Sequence, residues 1–98
     1  MSHSALAEFP CNPGKGREFL EQAMLPALEE TRAFDGCESI ETYIDADNPD
    51  HVIVWEKWAS REQYEAYIAW RMATGFVEVV APFMDPSAFR AVHLSRQD

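Results

Sequence analysis

The chain is 98 residues long, with 47% hydrophobic and 12% aromatic residues and a formal net charge of -9. That length makes one domain spanning 1-98, and the apolar content is that of a folded protein. The acidic balance excludes nucleic acid, where Lys and Arg must neutralise phosphates, and an anionic membrane surface.

The basic residues Lys15, Arg17, Arg32, Lys57, Arg61, Arg71, Arg90 and Arg96 are scattered and form no patch. Cys11 and Cys37 make no disulfide framework and read as reduced thiols of a cytoplasmic protein. The N-terminal MSHSALAEF lacks a basic region followed by a long apolar run, so no signal peptide is expected. No apolar stretch reaches the length of a membrane span.

In chain order, His3 to Phe9 reads as a strand that ends at Pro10 and the Asn12-Pro13-Gly14 turn. A helix follows from about Lys15, with Phe19, Leu20, Ala23, Met24, Ala27 and Leu28 along one apolar face. Pro26 falls inside that pattern and predicts a kink or a split, because it lacks an N–H and clashes with the preceding turn. After Asp35-Gly36, Cys37 to Ile44 alternates as a second strand. The polar run Asp45 to Asp50 predicts a long hairpin loop into a third strand from His51 to Trp58.

Ser60 with Gln63 three residues later is a capping-box pattern and starts the next helix. Its stripe is Tyr64, Tyr67, Ile68, Arg71, Met72, Gly75 and Phe76, with Trp70 on a flanking stripe and an interruption expected at Thr74-Gly75. Pro82 and Pro86 frame a turn before a fourth strand from Phe89 to Leu94. The order β-α-β-β-α-β is the ferredoxin-like α+β arrangement with a four-stranded antiparallel sheet. Two helices cover one face of such a sheet. The third strand is apolar on both faces, with Val52, Val54 and Trp58 on one and Ile53 and Trp55 on the other. A homodimer packed sheet against sheet would cover the second face.

The motifs of several chemistries are missing. His3, His51 and His93 lie in separate strands without metal-ligand spacing. Asp45, Asp47 and Asp50 lack the glycine and final glutamate of a calcium loop. Phe19 stands where a dinucleotide fingerprint needs its third glycine. The segment from Val52 to Phe76 is different: it concentrates all three tryptophans, two tyrosines and Glu56 between Trp55 and Trp58. Such a set suits a flat, apolar ligand with a few hydrogen-bonding groups.

Several local patterns occur in a telling order. They are Pro13-Gly14 before a helix, Thr31-Arg32, Asp35-Gly36-Cys37, Asp47-Asn48-Pro49, and Trp55-Glu56-Lys57-Trp58 with Ser60 opening a helix. Together they resemble the antibiotic biosynthesis monooxygenase (ABM) superfamily, from about Phe9 to Leu94. The resemblance implies a dimeric α+β barrel. It also implies cofactor-independent oxidation of an anthrone- or quinol-like aromatic by O2. Trp58 and Tyr64 match the tryptophan and tyrosine positions of the family's aromatic oxygenases. Val54 replaces an expected asparagine, and Tyr67 stands where many relatives carry histidine. The haem-degrading branch needs an axial histidine in the second helical region, and none lies between Trp58 and Val92.

The expected machinery is therefore Trp58, Tyr64 and Glu56 as catalytic residues, with Glu56 as base, and Tyr67, Trp70 and Arg71 contacting substrate. No cofactor is expected. Each residue has a structural alternative. Trp58 can be core, and Tyr64 and Tyr67 can cap the helix–sheet interface. Glu56 can form an ion pair with Arg71 or Arg61, and Trp70 can face a dimer partner. Two other functions compete: a non-catalytic ligand-binding or stress-associated dimer of the same fold, and an isomerase or lyase acting on a small carbonyl compound.

Overall fold

The computed structural model describes residues 2–98. Strand β1 (His3–Pro10) leads into a helical segment made of α1 (Gly16–Phe19), a π-helical turn (Leu20–Met24) and α2 (Leu25–Ala33). Strands β2 (Cys37–Asp45) and β3 (Asn48–Trp58) follow, then α3 (Arg61–Ala73), α4 (Phe76–Val80) and β4 (Arg90–Leu94). The four strands form one antiparallel sheet in the order β2-β3-β1-β4, the ferredoxin-like topology that the element order predicts.

Pro26 splits the first helix as its chemistry requires. It sits in the first turn of α2, where a missing N–H is tolerated, and the chain widens into the π turn immediately before it. At Gly36 the chain adopts φ +95, and a Cβ there would meet the Gln63 side chain at 2.6 Å. Glycine alone fits this corner between α2 and β2. Ser60 caps α3 by accepting from Gln63 N at 3.2 Å. Gly75, at φ +106, separates α3 from α4.

The Asp45 to Asp50 run forms a tighter turn than its composition predicts. Only Ala46 and Asp47 lie between the two strands, and Asp45 pairs with Asn48. Asp45 Oδ1 accepts from Asp47 N at 2.9 Å and Asn48 Oδ1 accepts from Asp50 N at 3.1 Å, so the polar side chains fold the backbone back at once. Asp50 then accepts from Gly14 N and Gly16 N, tying the hairpin to the start of α1.

Strand periodicity sorts the sheet into two faces. Ala5, Ala7 and Phe9 of β1 and Val52, Val54, Glu56 and Trp58 of β3 are buried under the helices. The other face bears Leu6, Ile53, Trp55 and Tyr43, with Trp55 39% and Tyr43 48% exposed. Two clusters make the core. The larger joins Phe9, Phe19, Leu28, Val52, Val54 and Val80, and the smaller joins Ala5, Trp58, Tyr64 and Tyr67. Glu56 lies between them on β3. Met72, placed on the α3 stripe by its spacing, is instead 54% exposed; the buried stripe is carried by Tyr64 and Tyr67. Among the described residues, no helix is long and apolar enough to cross a membrane.

Candidate functional site

A cavity of about 570 Å³ opens between the sheet and the helices. Small residues make room for it: Ala7 lines its floor beside Val54 and Glu56, while Ala23 and Ala27 line the helical wall. Most of the remaining lining is apolar, including Phe9, Phe19, Phe76, Phe83 and Phe89. The volume and character are those of a small-molecule site.

Glu56 is the buried carboxylate of this floor, only 4% exposed. Its position follows from the strand period: two residues from Val54 and two from Trp58, it shares their face. Trp58 Nε1 donates to Glu56 Oε1 at 3.1 Å, and no protein group bonds the second oxygen among the described residues. Burial pushes the Glu56 carboxyl up to about 7, partly offset by the Trp58 N–H. The ion pair with Arg71 or Arg61 does not form: Arg71 pairs with Glu30, and Arg61 with Glu65.

A second polar group lies on the helical wall. Arg71 Nε donates to Tyr67 Oη at 2.9 Å, and Arg71 Nη2 donates to Ala27 O and Thr31 Oγ1 at 3.0 Å each. Tyr67 Oη and Thr31 Oγ1 are 2.7 Å apart, and Thr31 reaches Ala27 O at 3.2 Å. One proton arrangement satisfies all of these contacts: Tyr67 donates to Thr31 and Thr31 donates to Ala27 O. The guanidinium also stacks on Trp70, 4.7 Å from the ring centroid.

The structure thus divides the residues singled out by the sequence. Glu56, Tyr67 and Arg71 line the cavity. Trp58 and Tyr64, 0% and 1% exposed, lie outside that lining and pack together with a 5.7 Å centroid separation. The Tyr64 hydroxyl is buried without a partner among the described residues, and burial, with Glu56 and Tyr67 nearby, raises its pKa. Trp70 is half-buried against Phe34 on the helical side, so it is not part of the open sheet face to which a sheet-to-sheet dimer would bind.

Sequence reasoning gave Thr31 no role beyond its place in the family pattern, yet it is a buried hydroxyl that joins α2 to α3. Its signal was the polar pair Tyr67 and Arg71, spaced i, i+4 and needing an acceptor opposite. It also missed that strands β1 and β4 bring His3 Nε2 within 2.8 Å of His93 Nδ1. Among the described residues, no group of three or more His, Cys, Asp or Glu is arranged to hold a metal. Cys11 and Cys37 are both free thiols.

Fold and cavity together define an α+β, ferredoxin-like domain that encloses an apolar site around one buried acid. The chain belongs to the antibiotic biosynthesis monooxygenase family, whose model matches residues 2–81. No curated protein sequence matches it. Solved structures share the fold. One is a protein from Shewanella oneidensis, 20% identical with TM-score 0.82, the match covering 97% of this chain and 90% of that one. A conserved protein from Methanosarcina mazei is 18% identical, with TM-score 0.81 and coverage of 99% and 94%. A third is the monooxygenase from the gene ActVA-Orf6 of Streptomyces coelicolor, solved with the ligand nanaomycin D. It is 19% identical, with TM-score 0.77 and coverage of 99% and 88%.

Proposed function

We propose that this protein is a cofactor-independent monooxygenase that oxidises a quinol- or anthrone-like aromatic with O2, with Glu56 as its base. The observation that carries this reading is a single buried carboxyl at the floor of an apolar cavity, its pKa raised by burial to about 7 and one oxygen free of partners among the described residues. A base poised near the working pH is matched to removing a weakly acidic phenol or benzylic proton.

Triplet O2 reacts slowly with closed-shell molecules, but an electron-rich phenolate or carbanion reduces it by one electron directly. In the proposed cycle the substrate gives its proton to Glu56 Oε2, and the Trp58 N–H steadies the carboxylate through Oε1. The anion passes an electron to O2, and the resulting radical pair combines as a peroxide. As the O–O bond breaks, the remaining C–H proton passes to the departing oxygen and leaves a carbonyl, and the proton held by Glu56 completes the water. A methylene and O2 become a carbonyl and H2O. The apolar walls exclude water from the anion, and Tyr67, held by Arg71 and Thr31, forms part of the wall beside it. Trp58 acts through Glu56, and Tyr64 supports Trp58 from behind.

A homodimer belongs to the same proposal. Trp55, Tyr43, Leu6 and Ile53 give the uncovered sheet face an apolar surface that a second copy would bury. A ligand-binding dimer without catalysis is the second reading. It is favoured by the positions of Trp58 and Tyr64, which match the family's oxygenases in sequence yet lie outside the cavity lining. A small carbonyl compound fits less well, since it would leave most of about 570 Å³ unfilled.

Oxygen uptake with a panel of hydroquinones and anthrones tests the oxygenase. Uptake above autoxidation that falls at least tenfold in Glu56→Gln is the expected result. Binding without uptake above the enzyme-free rate, for every substrate, would leave the ligand-binding reading in its place.

A further inference from the structure

The sorting of charge around the cavity bears on what it can hold, given the reading above that its ligand is a flat aromatic. The acidic groups of the lining are Glu56 at the floor and Glu30 at the rim, the latter with a side chain 62% exposed. Arg71 is the one base among the described lining residues. Four of its five N–H donors are already engaged. Nε serves Tyr67, both Nη2 protons serve Ala27 O and Thr31, and Nη1 reaches Glu30 Oε1 at 3.3 Å. Its charge is answered by Glu30, and one of its faces is stacked on Trp70.

A ligand carboxylate in this cavity would leave water without finding a free bidentate partner, and it would face the ionised form of Glu56. An unpaired buried charge is costly, and a like charge nearby adds to that cost. A neutral phenol loses less on entry and can donate its O–H to the open Glu56 oxygen. We infer that the cavity selects uncharged polycyclic phenols and phenol-ketones and rejects those carrying a carboxylate.

The test is a matched set of dihydroxyanthraquinones bearing a methyl, a hydroxymethyl or a carboxylate at the same ring position. Their binding is followed by quenching of the protein's tryptophan fluorescence above the Glu56 midpoint. The hydroxymethyl compound separates polarity from charge. The methyl and hydroxymethyl ligands are expected to bind within about threefold of each other and the carboxylate at least about tenfold more weakly. Glu56→Gln, which removes the anion but keeps an acceptor for Trp58, should reduce that discrimination several-fold. Binding of the carboxylate as tight as its hydroxymethyl partner overturns this inference and leaves the aromatic site standing. Discrimination undiminished in Glu56→Gln overturns the role given to the floor carboxylate. Failure of all three ligands to bind removes the aromatic site and this inference with it.

Discussion

Trp58 and Glu56, two residues apart on one face of β3, are joined by an indole N–H to carboxylate bond of 3.1 Å in the core. The bond satisfies the indole N–H of a fully buried tryptophan and supplies the one donor, among the described residues, to a buried acid. Trp58→Phe keeps an aromatic ring and deletes that donor. Because the N–H lowers the Glu56 pKa, its loss should carry the Glu56 midpoint upward from about 7. The variant should also lose about 1–3 kcal/mol of stability from the unpaired group and the smaller ring. The pH profile of ligand binding checks the first effect and urea unfolding the second. A midpoint that does not move would show that Trp58 is only packing.

Glu56 also makes folding pH-dependent. Its pKa rises from an ordinary 4.5 to about 7 on folding, so between those values the native state holds a proton that the unfolded chain has released. The unfolded state then binds fewer protons, and stability falls as pH rises through this window. The full cost at alkaline pH is about 3 kcal/mol. Glu56→Gln cannot ionise. Its stability relative to the parent should therefore improve by about that amount between about pH 4 and about pH 8. Parallel stability curves for the two proteins would mean that Glu56 is not raised by burial.

The sequence makes the architecture legible because local signals agree: glycine at a left-handed corner, proline at a helix break, a capping serine, and period-two strands. The Asp45–Asp50 turn resisted because counting polar residues does not reveal that their side chains close the turn locally. Glu56 was legible as an acid on an apolar strand face. The direction of the Trp58 N–H was not, since the choice between ligand and neighbour depends on rotamers. Thr31 meeting Tyr67 and His3 meeting His93 join segments 36 and 90 residues apart, and only the packed topology brings them together.

Two tyrosines on α3 make opposite predictions. The Tyr64 hydroxyl is buried without a partner among the described residues, whereas Tyr67 shares its oxygen with Arg71 and Thr31. Tyr64→Phe deletes a polar atom whose desolvation is uncompensated and should leave stability unchanged or raise it by about 1 kcal/mol. Tyr67→Phe strands Arg71 Nε inside the wall and should cost about 1–3 kcal/mol. Urea midpoints measured at one pH compare them, and equal losses would contradict the hydrogen-bond assignment.

The open face of the sheet gives the last prediction. Across its centre, Glu41 of β2, Trp55 of β3, Leu6 of β1 and Val92 of β4 stand in register, so Trp55 lies on a central strand and not at an edge. Its ring is 39% exposed, and Lys57 covers it only loosely, 5.9 Å from the centroid. In a sheet-to-sheet dimer, a central exposed aromatic is where association energy would concentrate. Trp55→Asp would place two carboxylates near the dimer axis, and desolvating them would oppose pairing. Sedimentation at micromolar concentration should therefore show a dimer for the parent chain and a monomer for the variant. The helices pack on the opposite face, so the variant's far-ultraviolet circular dichroism should retain the native α+β signature. A parent chain that sediments as a monomer would mean that this apolar face is tolerated in water and that the sheet-to-sheet dimer does not exist.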